Sequence, residues 1–343
     1  EVLRVRTLPL LRVHPILKGI ANLLLGFQYR RAMRRFLPNR RFDLIVTPTP
    51  PITLTYLAER IKKRSGARIY LVLRDIFPQN AVDIGLMSTK HPMFLIFRNM
   101  EKKLYRIADK IGCMTQGNIN YILQNNPEVS VEKLGLLPNW WKATPFDNQI
   151  DEEILERYNL KNKFVIIFGG NIGLPQKVEN IVELAKLHTN KPDLMFVIIG
   201  RGTQKMMFQK MVEQEKLTNF LFIDFLKRTD YEKFVAVAQV GLISLNENFT
   251  IPNIPSRTLS YYNYKKPVFA IIDKSTDYNE MLDNDQSGVW CHVNDRQGYV
   301  EKFNQIYFDA TLRKNMGENG YKALLEKYSP ELTYRKIKEQ MCF

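Results

Sequence analysis

Short apolar runs alternate with longer amphipathic segments along nearly the whole chain, and that alternation is what most constrains its fold. Arg68-Ile-Tyr-Leu-Val-Leu73, Phe164-Val-Ile-Ile-Phe168 and Val268-Phe-Ala-Ile-Ile272 are apolar nearly throughout rather than at every second residue. Such strands are buried on both faces, as in parallel sheets covered by helices. Strands are expected at 42–47, 68–73, 110–115, 134–138, 164–168, 194–199, 220–222, 240–245 and 268–272. Helices are expected at 52–63, 93–107, 118–124, 178–187, 204–216, 230–238 and 256–264, with a largely helical tail at 295–343. The polar stretch 142–162, with a short helix at 152–158, interrupts the pattern. The expected architecture is therefore α/β with two domains, 1–141 and 163–324, a linker at 142–162, and a C-terminal helix at 325–343 that packs back on the first domain.

Charge is spread unevenly. Residues 1–150 hold 24 Lys and Arg against 10 Asp and Glu, a net +14, whereas the remainder holds 26 against 25. A basic front half points to an anionic surface, lipid or nucleic acid. Residues 1–13 alternate apolar and basic and predict a half-exposed strand. Over 16–36 the spacing becomes helical: Ile16, Leu17, Ile20, Leu23, Leu24, Phe27, Met33 and Phe36 share the chain with Gln28, Arg30, Arg31, Arg34 and Arg35. The pattern suits a core-packing helix with a solvated basic face, or a helix lying on an anionic membrane surface. No apolar run approaches ~20 residues, so no membrane span is expected. Cys113, Cys291 and Cys342 are far apart without CxxC spacing, which argues against a disulfide framework or structural zinc and for a reducing compartment. No secretory leader is visible in a chain that opens at Glu1.

The stretch 245–270 joins two apolar strands through a polar loop and a short helix. Pro255-Ser256-Arg257 offers a hydroxyl, a guanidinium and free backbone N–H groups at that helix's start, the groups an anionic phosphate needs. Gly169-Gly170-Asn171-Ile-Gly173 follows a buried strand and admits close backbone approach, although it is not GxGxxG; Lys177 stands beside it. Gly200-Arg201-Gly202 repeats the strand–turn–helix geometry one unit later. Asp75, at the end of strand 68–73, could take a proton from a hydroxyl or orient it. Asp283-Asn284-Asp285 has a DxD form used with divalent cations, but its setting reads as a solvated loop. Trp140-Trp141 reads as an interdomain packing wedge, and His14, His91, His188 and His292 show no ligand spacing.

Taken in order, Arg74-Asp75-Ile-Phe-Pro78, Glu101-Lys-Lys-Leu-Tyr105-Arg-Ile-Ala-Asp109, Leu137-Pro138-Asn139, Gly170-Asn171-Ile-Gly173, Gly200-Arg-Gly202, Pro255-Ser-Arg257 and Lys266-Pro267-Val268 resemble the bacterial family-four glycosyltransferases. The nearest subgroup is similar to the fucosamine transferases of O-antigen and capsule assembly. The resemblance implies the GT-B architecture: two Rossmann-like domains facing across a cleft, here with the first N-terminal strand missing. It implies retaining transfer, without metal or cofactor, from a nucleotide-sugar donor, UDP-linked by preference, to a lipid-linked saccharide at the cytoplasmic face of the membrane. Donor-binding residues would be Gly170, Asn171, Gly173, Lys177, Gly200, Arg201, Pro255, Ser256, Arg257 and Ser260, with Asp75 at the acceptor hydroxyl. The pattern is not followed throughout. Asn171 stands where the family has an arginine, and Pro252 and Ser260 stand where it has two glutamates; a register shift would bring Glu247 to the first of these. A non-catalytic nucleotide-sugar-binding subunit is the alternative implied by those departures. A nucleic-acid binder is disfavoured, since the basic helix lacks interleaved exposed aromatics.

Overall fold

The buried apolar runs become strands, and every strand expected from 42 onward is present in the computed structural model, which describes residues 2–9, 15–144 and 151–342, the side chains of 15, 16 and 18 apart. The strands are β1 (Leu44–Thr49), β2 (Arg68–Leu73), β3 (Lys110–Cys113), β4 (Leu134–Leu136), β5 (Phe164–Asn171), β6 (Leu194–Arg201), β7 (Phe220–Ile223), β8 (Val240–Ser244), β9 (Val268–Ile272) and β10 (Gly288–His292). The helices of the first part are α1 (Pro15–Phe36), α2 (Thr55–Ser65), α3 (Gln79–Asp83), α4 (Pro92–Ile107) and α5 (Gln116–Asn125). Then come α6 (Glu152–Arg157), α7 (Glu179–Lys186), α8 (Lys205–Gln214), α9 (Arg228–Val237), α10 (Thr258–Asn263) and α11 (Tyr278–Asp285). Three helices close the chain: α12 (Arg296–Phe308), α13 (Ala310–Lys327) and α14 (Pro330–Met341).

Two compact units result, Glu1–Pro138 with Tyr334–Phe343, and Asn139–Thr333. The first carries the parallel sheet β1-β2-β3-β4. Helix α14 is fastened to this sheet: the Tyr70 hydroxyl donates to Gln340 Oε1 at 2.6 Å, and Gln340 Nε2 donates to Leu136 O at 3.1 Å. Helix α1 buries Ala21 and Leu25 but leaves Leu17, Ile20, Leu23, Leu24, Phe27 and Phe36 exposed, so most of its apolar positions do not serve the core.

The second unit carries a six-stranded parallel sheet in the order β10-β9-β8-β5-β6-β7. Successive strands run outward in one direction from β5 and in the other from β8. A doubly wound sheet binds ligands at such a switch point, beyond the carboxyl ends of the strands. The two central strands pair only at Ile166 with Val240 and Ile167 with Gly241, then separate. Tyr261 of α10 fills the gap. Its hydroxyl lies 3.2 Å from both Ile167 O and Leu242 O, one O–H donor shared between carbonyls on the two parted strands. The ring lies against Gly241, where a Cβ would come within 2.3 Å of it, so the close approach requires glycine there.

Three expectations need correction. Residues 2–9 form no strand; most of their side chains are exposed, so the apolar–basic alternation has no buried face to serve, and residues 1 and 10–13 lie outside the described residues. Strand β10 and helices α3 and α11 have no counterpart in the sequence reading, because each is short and flanked by polar turn-formers. Asp283-Asn284-Asp285 is not a solvated loop but the last turn of α11. Asp285 is buried and accepts from the hydroxyls of Tyr262 at 3.1 Å and Tyr328 at 2.9 Å and from Lys327 Nζ at 2.6 Å, while Asp283 takes the Trp290 indole N–H at 3.0 Å.

The Tyr261 bridge gives the first test. Tyr261→Phe removes the one donor that two buried carbonyls share, and equilibrium denaturation should show a loss of about 1–3 kcal/mol. A variant as stable as the parent would show that the carbonyls find other partners.

Candidate functional site

A cavity of about 690 Å³ opens over the switch point of the second unit, walled by the carboxyl ends of β5 and β6, the start of α10, and the segment entering α9. From β5 come Gly169, Gly170 and Asn171; from β6 come Gly200 and Arg201; Ser256, Arg257 and Ser260 come from the segment after β8. Gly200 has φ +152°, and a Cβ there would stand 1.9 Å from Gly170 O, so the tips of the two strands meet only because this residue has no side chain.

The electrostatics are one-sided. Arg201, Arg228 and Arg257 line the cavity, and among the described residues no Asp or Glu does. Each guanidinium rests on an aromatic face: Arg257 lies 4.4 Å from the Phe168 ring centroid, Arg228 4.2 Å from that of Trp141, and Arg201 5.8 Å from that of Phe225. Such contacts hold a cation in place without neutralising it. Arg228 also pairs with Glu232 at 2.7 Å. Arg257 differs, because its Nη1 is buried with no hydrogen-bond partner. Close by, Ser260 Oγ is likewise buried and unpartnered. A buried donor left unsatisfied costs roughly 1–3 kcal/mol, and an anion in the cavity would remove that cost.

Seven of the ten expected donor-site residues line this cavity: Gly170, Asn171, Gly200, Arg201, Ser256, Arg257 and Ser260. The other three stand behind the wall. Gly173 donates its backbone N–H to Gln176 Oε1, which also receives the Asn171 side-chain amide, and so shapes the turn. Pro255 O accepts from Thr258 N and starts α10. The Lys177 ammonium is held by Glu247 Oε1 at 2.8 Å, while Glu247 Oε2 is buried and unpartnered.

Trp141, Arg228 and Tyr231 are wall residues that sequence patterns do not single out for this role. By sequence Trp141 reads as a packing wedge; its neighbourhood in this unit is the cavity and Arg228. Arg228 and Tyr231 sit in an ordinary amphipathic helix, and nothing in their local spacing marks them.

Asp75 belongs to the first unit, just beyond the end of β2. Thr49 Oγ1 donates to its backbone carbonyl at 3.1 Å. Burial pushes the carboxyl up to about 6, against the opposing pull of Arg74. A carboxylate tuned into that range can exchange a proton near neutrality.

The family model for glycosyl transferases group 1 matches residues 150–323, half of the chain and most of the second unit. WbjE of Pseudomonas aeruginosa, named as a probable glycosyltransferase, is 22% identical over 292 residues, covering 84% of this chain and 72% of that protein. WcaI of Escherichia coli, named for colanic acid biosynthesis, is 26% identical over 216 residues, covering 61% of this chain and 51% of its own length. Among solved structures, Anabaena HepE in complex with UDP and glucose superposes with a TM-score of 0.70 at 14% identity, covering 96% of this chain and 83% of that one. Fold, switch-point cavity and family match agree: the chain has the GT-B fold and belongs to the glycosyl transferases group 1.

Proposed function

We propose that this chain moves a sugar from a nucleotide-diphosphate donor to a lipid-linked saccharide during assembly of a surface polysaccharide. The observation that carries the donor half is the cavity with three guanidinia and no carboxylate among the described residues, one guanidinium having a buried nitrogen, Arg257 Nη1, without a hydrogen-bond partner. A departing nucleoside diphosphate gains negative charge as the glycosidic bond breaks, and fixed donors aimed at that charge stabilise the transition state. Arg257 Nη1 and Ser256 are the groups for the diphosphate, and Ser260 Oγ is a neutral hydrogen-bonding partner for a ribose hydroxyl. This reading needs no metal or other cofactor, because the guanidinia supply the positive charge. The fit of HepE to UDP and glucose favours a UDP-linked donor, and the names of WbjE and WcaI favour polysaccharide assembly.

The acceptor half rests on Asp75, which we place at the incoming hydroxyl, with retention of configuration at the transferred carbon. The lipid-linked acceptor calls for a membrane-facing surface, and α1 offers exposed apolar side chains continued by arginines. Among the described residues no helix is long and apolar enough to cross a membrane. In this reading the protein works attached to the inner face of the cytoplasmic membrane.

Two tests follow. In a panel of UDP, GDP and dTDP, UDP should raise the melting temperature most, stabilising by ~2.7 kcal/mol at a hundredfold excess over Kd. Arg257→Ala should abolish that shift, and a chain indifferent to all three nucleotides would sink the donor assignment.

Asp75 gives a test in pH. Its carboxyl is neutral well below pH 6 and ionised above it, so kcat/KM should fall as pH drops through about 6. Asp75→Asn should remove most activity and that acid limb together. The sign for stability is opposite: a raised folded pKa means that ionising Asp75 destabilises the fold, so the variant should gain stability relative to the parent as pH rises from about 4 to above 6. Tight UDP binding with no transfer at any pH would favour a non-catalytic binding subunit.

A further inference from the structure

Helix α1 lies against α2 and the turn Ile52–Leu54, and the seam between the helices is rich in positive charge. At its narrow end Arg30, Arg34, Arg40, Arg60 and Arg64 converge on one small recess. A wider recess of about 420 Å³ continues from it, shared through Arg30 and Arg60 and opening beside Phe27 and Tyr56. Among the described residues the one carboxylate on either wall is Glu59, already held by Lys63 at 3.1 Å and Lys103 at 2.6 Å. Among the described residues none of the five arginines has an ion pair; Arg64 donates to Pro38 O, and Arg30 Nε is buried without a partner. Five like charges around one recess repel one another, and an anion is what would offset this.

The surroundings say what kind of anion. Leu17, Ile20, Leu24 and Phe27 follow one another at steps of three and four along the exposed side of α1, with exposures from 42% to 62%. They lead directly to the arginine-rich end of the same helix. An apolar stripe beside a cationic recess matches the two layers of a lipid surface, acyl chain and phosphate. A freely soluble phosphate would gain nothing from the stripe.

We infer that the α1–α2 seam is a phosphate-binding site for the headgroup of an anionic phospholipid, seated while the apolar stripe enters the acyl boundary. The inference deepens the membrane reading given above and rests on it. It adds that attachment is made by a site that recognises phosphate, where α1 alone would supply only diffuse charge. A guanidinium pairs with one carboxylate as readily as with one phosphate. Phosphate oxygens, however, are arranged tetrahedrally, so arginines converging from several sides can share one phosphate where a planar carboxylate offers a single edge.

The test uses the full chain and neutral phosphatidylcholine vesicles doped to equal surface charge with phosphatidic acid, phosphatidylglycerol or oleic acid. Binding to the two phosphate lipids should exceed binding to oleate by several fold. Arg60→Gln/Arg64→Gln should lose about tenfold more affinity than Arg31→Gln/Arg35→Gln, which removes the same charge outside the recess, and should lose the preference for phosphate. Unchanged melting temperatures for both variants exclude misfolding as the cause. Equal losses in the two variants, or no preference for phosphate over oleate, would overturn the site while leaving electrostatic attachment intact. No binding to any charged vesicle would overturn both. A third variant, Ile20→Ser/Leu24→Ser, should abolish vesicle binding by removing the stripe. Strong stabilisation by inorganic pyrophosphate without vesicles, undiminished in that variant, would assign the recess to a soluble anion and overturn the lipid source.

Discussion

Two parallel strands that pair at two positions and then part set the problem that the centre of the second unit has to solve. The crevice lies where the strand order reverses, between β5 and β8, which pair at only two positions. Parting exposes carbonyls inside a core, which costs free energy unless they are met. Tyr261 meets them from α10, and Gly241 leaves the room for its ring. The same short helix begins at Arg257 and presents Ser260, so the residue that closes the gap below and the residues that face the cavity above share one rigid turn. Fold and site are held by one interaction.

The second constraint is electrostatic. A cavity lined by three guanidinia without a carboxylate among the described residues is destabilised by self-repulsion, and aromatic faces under each guanidinium offset part of that cost. The contrast with Lys177 is informative, because there the positive charge is closed off by Glu247. Two cations near one loop thus have different fates: one is paired, and one keeps a buried nitrogen without a hydrogen-bond partner. The open one, Arg257, is the one an incoming anion can use. Asp75 in the first unit shows the mirror situation, a carboxyl whose ionisation is opposed by burial.

Much of the framework is legible in the sequence because buried parallel strands must be apolar throughout. Strands β2 and β9 begin and end at the residues their apolar runs mark. Pro255-Ser256-Arg257 is legible for a local reason: a turn opening a helix after a strand displays its N–H groups wherever it occurs. What is not legible depends on destination rather than type. Asp285 reads as a loop acid until two tyrosines and a lysine close over it. Trp141 and Arg228 are 87 residues apart in sequence and are brought onto one wall only by tertiary packing. The apolar–basic alternation of 2–9 suggests a strand, yet a period of two has no meaning without a sheet face to receive it. In α1 the apolar spacing is visible, while the side that faces outward is not.

Where a nucleoside diphosphate settles decides whether the switch-point cavity is the donor site. Hydrogen exchange of the full chain with and without UDP measures this directly, since a ligand protects the amides it contacts and those it stabilises. Slowed exchange should appear at 169–171, 199–201 and 256–260, three of the segments that wall the switch-point cavity, and should vanish in Arg257→Ala. Unchanged exchange in those segments under saturating UDP, or protection confined to the first unit, would contradict it.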